Sequence, residues 1–569
     1  MLDSLLHDSL SLRYQVEIFD KQFRSFSKYV VISFFDDAQK KIEEFKFGFI
    51  TNEEIFQMID EGKDVNLNGA FVKNFSLMDY RVEKGMDDSV PVKLNNFSAK
   101  KAFFEADIKT DFSFAEFVGS KTIFEACIFG NGGADFNNSD FGEGDAIFKK
   151  AKFGTGNISF QFAKFGSGII NYNGVCFGNG NVNFVSTDFG NGNVDFKNTL
   201  WGDGTVDFKF GKFSDGDITF EKASFGNGKK DFKNLEFGGG KIDFKRVSFN
   251  DGDVSFNGVE FGKGKVSFRS SSFGTGEITF EETDFGEGEV QFDQVDFGDG
   301  KVSFNQARGQ DFSFTGCPLN AYFDFRFANC NKVDLSNTVV RDILDMMPSD
   351  EKVHIKLMQI NGMRILGRIF IDWKRNDVHN LIYLQKNTTL EQKAEQFRIL
   401  KENFRNNGQY NDEDSCYLEF KRCESKAHLE EAKNKGGLET ISGYVVYYFQ
   451  TYVFDFIGRY ATNPIRVLFN MSLAYLIFSF IYFIFSITNG LENYGHVVAG
   501  GAECKYLHDL PWYSAFGNSM YFSGITFMTV GYGDYFAGGV LKPVAVVEGF
   551  TGVFLMSYFT VAFVRKILR

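Results

Sequence analysis

Near the C-terminus the chain reads Thr529-Val530-Gly531-Tyr532-Gly533-Asp534, with Thr526 three residues earlier. Glycine tolerates positive φ, so Gly531 and Gly533 permit a backbone run that ordinary residues resist. Two carboxylate features accompany it. Glu548 lies inside an apolar run, where an unpaired charge is costly and must face protein or be protonated. Asp412-Glu413-Asp414 opens a helical pattern and has two readings. One is capping and complementation of the helix dipole. The other is a regulatory cation site for Na⁺ or Ca²⁺.

The elements that must position the glycines are apolar. Trp512 to Met528 reads as a short helix, too short for a bilayer core of about 30 Å. It fits a re-entrant helix, because non-helical backbone at membrane depth is tolerated only in a protein or a wet cavity. Ile465 to Ile487 carries one charge, Arg466, near its start. Val540 to Ile567 is apolar except for Lys542, Glu548, Arg565 and Lys566. Each run is long enough to span, at about 465–487 and 543–567. Arg459 and Arg466 precede the first, and Arg565, Lys566 and Arg569 follow the second. The intervening loop holds Glu492, Glu503, Asp509 and Lys505. The positive-inside rule then places both termini in the cytosol of a multi-pass protein of the plasma (inner) membrane.

The TxxTVGYGD pattern between two spans resembles the selectivity filter of two-transmembrane potassium channels, including the inward rectifiers. The resemblance covers about residues 441–569. It implies K⁺ as permeant ion, with carbonyls of Thr529, Val530, Gly531, Tyr532 and Gly533 replacing its water shell. It implies that the Thr529 hydroxyl adds the innermost oxygen layer, Tyr532 braces the filter and Asp534 sits at the outer mouth. Thr526 and Glu548 would support the filter from behind. One chain carries one filter, so a homotetramer in a lipid bilayer is implied. In the second span Gly552 takes the place of the family's hinge glycine, with Gly549 a second candidate. Val553, Met556, Thr560 and Val564 would line the cavity, with the gate near Thr560 to Val564.

The chain has 569 residues and a formal charge of −13, which argues against a nucleic-acid partner. The N-terminus shows no signal-peptide core. Seven Cys lack metal-ligand spacing, and only Cys504 falls on the expected outer side. The anomaly is 73 Phe with 59 Gly, which demands a repeat. From about Phe112 to Phe304 the period is twelve. One aromatic column runs Phe177, Phe189, Trp201, Phe213 and a second runs Tyr172, Phe184, Phe196, Phe208, each continuing in both directions. The consensus is F-G-x-G-x-[VI]-x-F-x-x-small-x. Short alternating strands joined by Gly-x-Gly and by a two-residue corner make a β-solenoid, similar to the pentapeptide-repeat proteins. Two repeats per coil, about 24 residues, put four aromatic rings inside each turn. A β-meander with a bulge in every strand is the alternative. The Gly-x-Gly turns lack the carboxylate that calcium-binding nonapeptide repeats need.

The expected fold is therefore multidomain: an all-β solenoid, an α-helical linker and an all-α two-span pore domain with a re-entrant helix. Residues 1–100 read as an α+β cap, with a strand over 29–35, a helix over 36–45 and another over 53–61. The solenoid is expected over 101–345 and a strand and helical linker over 346–440, with a strand at 365–373 and helices at 389–405 and 412–426. Gly436-Gly437 reads as a hinge. Residues 444–456 read as an interfacial helix, and 441–569 as that helix plus the pore domain. The large soluble part precedes the first span. It is expected to sense a cytosolic ligand, ion or protein partner and to pull on the gate through 441–464 and interdomain contacts. The alternative is a constitutive channel that the solenoid only anchors or clusters. No phosphate loop, nucleophile elbow or zinc spacing supports an enzyme.

Overall fold

The computed structural model describes residues 13–36, 38–348, 354–488, 490–491, 493–500 and 505–568. Cys504, Glu492, Glu503 and Arg569 lie outside the described residues. The chain divides into two compact units, 1–386 and 387–569.

The first unit opens with an antiparallel meander: β1 (Arg13–Phe19), β2 (Lys28–Phe35) and β3 (Lys41–Phe49). The helix expected over 36–45 is not formed, because Phe45, Phe47 and Phe49 alternate with polar or small residues along β3. That period of two sends the rings to one face of the sheet. There Phe45, Phe47 and Phe49 pack with Val30, Ile32 and Phe34 against Phe71, Phe103 and Ile128. β3 then pairs in parallel with Ala70–Lys73, so the meander closes one end of the solenoid. Two helices flank this end: α1 (Asn52–Asp60), capped reciprocally by Thr51 and Glu54, and α2 (Leu77–Glu83), capped by Ser76.

The repeat region is a β-solenoid of parallel ladders. Val182 pairs with Val206, and Val206 with Lys230, so each coil takes 24 residues (206 minus 182), two repeats. Each coil has four short edges. In one coil these are the strands Val182–Asn183 and Val194–Asp195 and single bridges at Asp188 and Leu200. Four aromatic ladders fill the interior. Tyr172 stacks on Phe196 at 4.8 Å and 3°, and Phe184 on Phe208 at 4.7 Å and 10°. Phe189 stacks on Phe213 at 4.1 Å and Phe177 on Trp201 at 4.0 Å. Between ladders the rings meet edge to face, as Phe184 and Phe196 do at 82°. Offset stacks and edge contacts are the two favourable geometries of aromatic pairs.

The second glycine of each Gly-x-Gly is required by close approach. A Cβ on Gly192 would lie 1.8 Å from the Gly168 carbonyl oxygen of the preceding coil. The two-residue corners demand a left-handed residue every twelve positions, as at Ser186, Asn198, Phe210 and Lys222 (φ 53–59°). One inward position departs from the pattern. Lys230 stands where the ladder has Val206 and Val254, is buried, and donates from Nζ to the Asp251 carbonyl. After Phe304 the spacing shortens: Val302 pairs with Phe323, 21 residues on (323 minus 302). Parallel pairing nevertheless continues to Phe370, and α3 (Val378–Tyr383) follows. Asn376 ties the segment before α3 to the Met346 carbonyl at 2.7 Å.

The second unit is mainly helical. α4 (Leu390–Asn406) is capped by Thr389 with Gln392 and buries Phe397, Leu400 and Phe404. α5 (Tyr410–Lys435) is longer at both ends than its expected 412–426. Gly436 (φ 76°) turns the chain into α6 (Gly437–Phe449), which buries no residue and exposes Leu438, Ile441, Val445 and Phe449. A π-helical turn, Gln450–Phe456, leads to an elbow in which Arg459, Tyr460 and Ala461 are all left-handed. α7 (Pro464–Ile487) begins at a proline, with Asn463 accepting from the Arg466 amide. α8 (Trp512–Phe527) and α9 (Leu541–Ile567) follow. α7 and α9 are long and apolar enough to cross a membrane. The chain thus joins an all-β solenoid to helices and two membrane-capable helices.

Candidate functional site

The segment between α8 and α9 is built by the end of α8. The Val530 and Gly531 amides both donate to the Ile525 carbonyl, at 2.9 and 3.3 Å, and the Thr529 amide to that of Thr526 at 3.0 Å. Thr529 is left-handed (φ 56°), an unfavourable setting for a β-branched residue, and its hydroxyl donates to the Met528 carbonyl at 2.7 Å. Gly531 and Gly533 have φ of 60° and 79°. A Cβ on either would meet no atom within 4 Å, so backbone conformation and not space favours glycine at both. In the single chain Val530 and Tyr532 are exposed.

Asp534 fastens the far end of this segment. Its carboxylate accepts from the Tyr521 hydroxyl of α8 at 2.7 Å. Its carbonyl accepts from the Gly500 amide at 2.6 Å. Directly after it, Tyr535–Gly539 pairs antiparallel with Gly495–Ala499. This small sheet escaped sequence reading, although the apolar run His496-Val-Val-Ala499 is a strand signal once a partner is known.

Glu548 of α9 is fully buried. Its two oxygens accept from the Tyr482 hydroxyl of α7 at 2.7 Å and from the Ser523 hydroxyl of α8. The Ser523 hydroxyl oxygen also lies 3.2 Å from the Tyr475 carbonyl oxygen. The carboxylate therefore joins all three helices, directly behind α8. Its burial implied partners, but nothing local in the sequence named Tyr482 or Ser523, which lie 66 and 25 residues away.

Gly552 is where α9 crosses the end of α8: a Cβ there would sit 1.9 Å from the Phe527 carbonyl oxygen. At Gly549 the corresponding contact is 3.7 Å, ordinary van der Waals distance. The face of α9 packed against its own chain carries Glu548, Gly552, Leu555, Tyr558 and Ala562. Val553, Thr560 and Val564 are exposed and Met556 is half-buried. The Thr560 hydroxyl donates to the Met556 carbonyl at 2.9 Å.

The acidic trio lies in the first turns of α5. Asp412 is half-buried, and Glu413 and Asp414 are buried. The Asp414 oxygens face Arg565 at 3.1 Å and Lys566 at 2.9 Å. Among the described residues no group of three or more His, Cys, Asp or Glu is disposed to hold a metal.

Residues 470–569 match the Ion_trans_2 family, described as ion channel. No curated protein and no solved structure matches the chain. The matched interval holds most of α7, all of α8 and α9, and the glycine segment between them. The C-terminal part of this chain thus matches an ion-channel family over a region with two membrane-capable helices, and in sequence it follows an N-terminal β-solenoid.

Proposed function

We propose that this protein is a potassium-selective channel, a homotetramer in the plasma (inner) membrane with its solenoid in the cytosol. The observation that carries the reading is the backbone at Thr529 to Gly533, where positive φ recurs at 529, 531 and 533 after a 16-residue helix. Alternation of this kind turns successive carbonyls toward one side, as a carbonyl-lined filter requires. Thr526 closes the helix behind it, and Asp534 anchors its outer end. Four copies are needed to close such a pore, and Val546, Val547 and Phe550 of α9 are apolar and exposed to 73, 57 and 76 %, available to neighbours. Val553, Met556, Thr560 and Val564, on the side not packed by the chain itself, line the cavity. Gly552 is the hinge at which α9 bends on opening, with Gly549 the second candidate.

The test is current from the purified full chain in a planar bilayer under a K⁺/Na⁺ gradient. A reversal potential that follows K⁺ is expected, and one indifferent to the K⁺ gradient rejects the reading. Exchanging the solution on the solenoid side, one ion or ligand at a time, tests gating by a cytosolic stimulus. A steady open probability throughout favours the second reading, a constitutive channel that the solenoid anchors. The filled interior of the solenoid gives that reading some support: four rings per coil leave recognition to its surface and ends.

A further inference from the structure

Three polar corners join α5, the elbow and the inner end of α9, all within the second unit, and two of them hold α9 itself. At the first, Arg565 and Lys566 share Asp414 of α5. The Arg565 guanidinium also lies 4.2 Å over the Tyr417 ring, and Lys566 reaches the Asn411 carbonyl oxygen of the side chain at 3.4 Å. At the second, Arg422 of α5 makes a two-pronged bond to Asp455 of the π-helical turn, at 2.7 and 3.0 Å. At the third, the Tyr558 hydroxyl of α9 donates to the Phe454 carbonyl at 2.8 Å and accepts from the Ala461 amide at 2.9 Å. α5, the elbow and α9 thus form a closed triangle.

Its sides are not close-packed. A cavity of about 610 Å³ opens beside the first corner, lined by Lys401, Arg405, Glu413 and Arg565. Another of about 520 Å³ lies between the corners, lined by Phe454, Tyr460, Tyr558 and Val561. Apolar packing holds the third corner, where Ala461, Val467, Tyr558 and Ala562 form a buried cluster; at the first corner the end of α9 is held by its polar contacts to Asp414. Paired charges that are largely desolvated become costly when one partner is removed. The side chain of Asp414 is 10 % exposed and that of Arg565 22 %.

We propose that this triangle is a gating clamp: α5 holds the last turn of α9 directly and the turns before it through the elbow, so that movement of α5 moves the gate without passing through α6. The proposal rests on α9 being the pore-lining helix. It goes beyond that reading by assigning the acidic residue Asp414 to the gate itself.

Two measurements on the full-length protein test it. In planar bilayers, Asp414→Asn and Lys566→Gln should each shift open probability by on the order of tenfold, in the same direction, at unchanged conductance and selectivity. The double variant should shift it no further than either alone. Additive effects, or an unchanged open probability, overturn the clamp. If Asp414→Asn fails to assemble, the exchanged pair Asp414→Lys with Lys566→Asp should restore assembly and gating, and failure to do so counts against the pairing. The second measurement needs no current: amide hydrogen exchange in detergent should quicken roughly tenfold over residues 560–567 in Asp414→Asn and in Tyr558→Phe. Unchanged exchange there overturns the clamp even if the pore reading fails, and a silent channel with quickened exchange rejects the pore reading alone.

Discussion

At the scale of single residues, burial and packing give four positions consequences that can be measured. Glu548 is tied to Tyr482 and Ser523 with no water-exposed surface. A carboxylate accepts from both hydroxyls at once, whereas an amide offers one acceptor and two donors. On the proposed channel reading, Glu548→Gln should therefore cut current at least tenfold while assembly is unchanged, and a normal channel would remove any support role for this residue. Gly552 and Gly549 separate just as cleanly. A methyl group at 552 collides with the Phe527 carbonyl, and one at 549 does not. Gly552→Ala should abolish current and lower thermal stability, while Gly549→Ala should conduct. Lys230 carries the pH prediction. Burial pushes its ammonium down from the ordinary 10.5 to about 8. In the unfolded chain the proton stays on up to about pH 10.5, and in the folded chain it leaves near 8. Folded stability should therefore rise as pH climbs from 8 to 10.5, by on the order of 3 kcal/mol in full. Lys230→Val restores the apolar ladder and should be more stable at pH 7 and lose that rise, as followed by chemical denaturation.

At the scale of elements, the solenoid and the membrane helices were legible for different reasons. Rings at a strict period of twelve permit few arrangements, and the choice of 24 residues per coil follows from the room four rings require. What the columns did not reveal is the corner: a left-handed residue every twelve positions, filled by Ser, Asn, Phe or Lys far more often than by Gly. The cost of each is met by backbone bonds to the next coil, such as the Phe210 amide to the Lys233 carbonyl at 3.1 Å, a non-local compensation that composition does not display. β3 resembles a helix in sequence for a related reason. Its charged residues suit a helix, and only pairing with β2 shows that its rings share one face. Because each coil touches mainly its neighbours, a defect should stay local. Phe196→Ala should cost about 3–5 kcal/mol and loosen hydrogen exchange in the adjacent coils while leaving the distant ones protected. Uniform loss of protection would mean that the ladder folds as one cooperative block.

At the scale of the whole molecule, the clamp and the hinge make opposite demands on Gly436-Gly437. Pulling through α6 alone requires that link to stay taut, whereas α5 reaches α9 through Asp414 and the elbow through Arg422, upstream of the link. A flexible insert of about six Gly/Ser residues between Gly436 and Gly437 should leave stimulus-dependent opening in place; loss of gating with intact conduction would return the signal to α6. The sequence by itself determined the period of twelve, the two apolar spans, the short helix between them and the glycines that follow, because each depends on residue type at fixed local spacing. Only the tertiary structure decided what Glu548 bonds, why Gly552 lacks a side chain, and that Asp414 belongs to the basic end of α9, 151 residues away. Those facts depend on which helices cross and where. Crossing is set by the summed packing of whole surfaces, and no single stretch of chain encodes it.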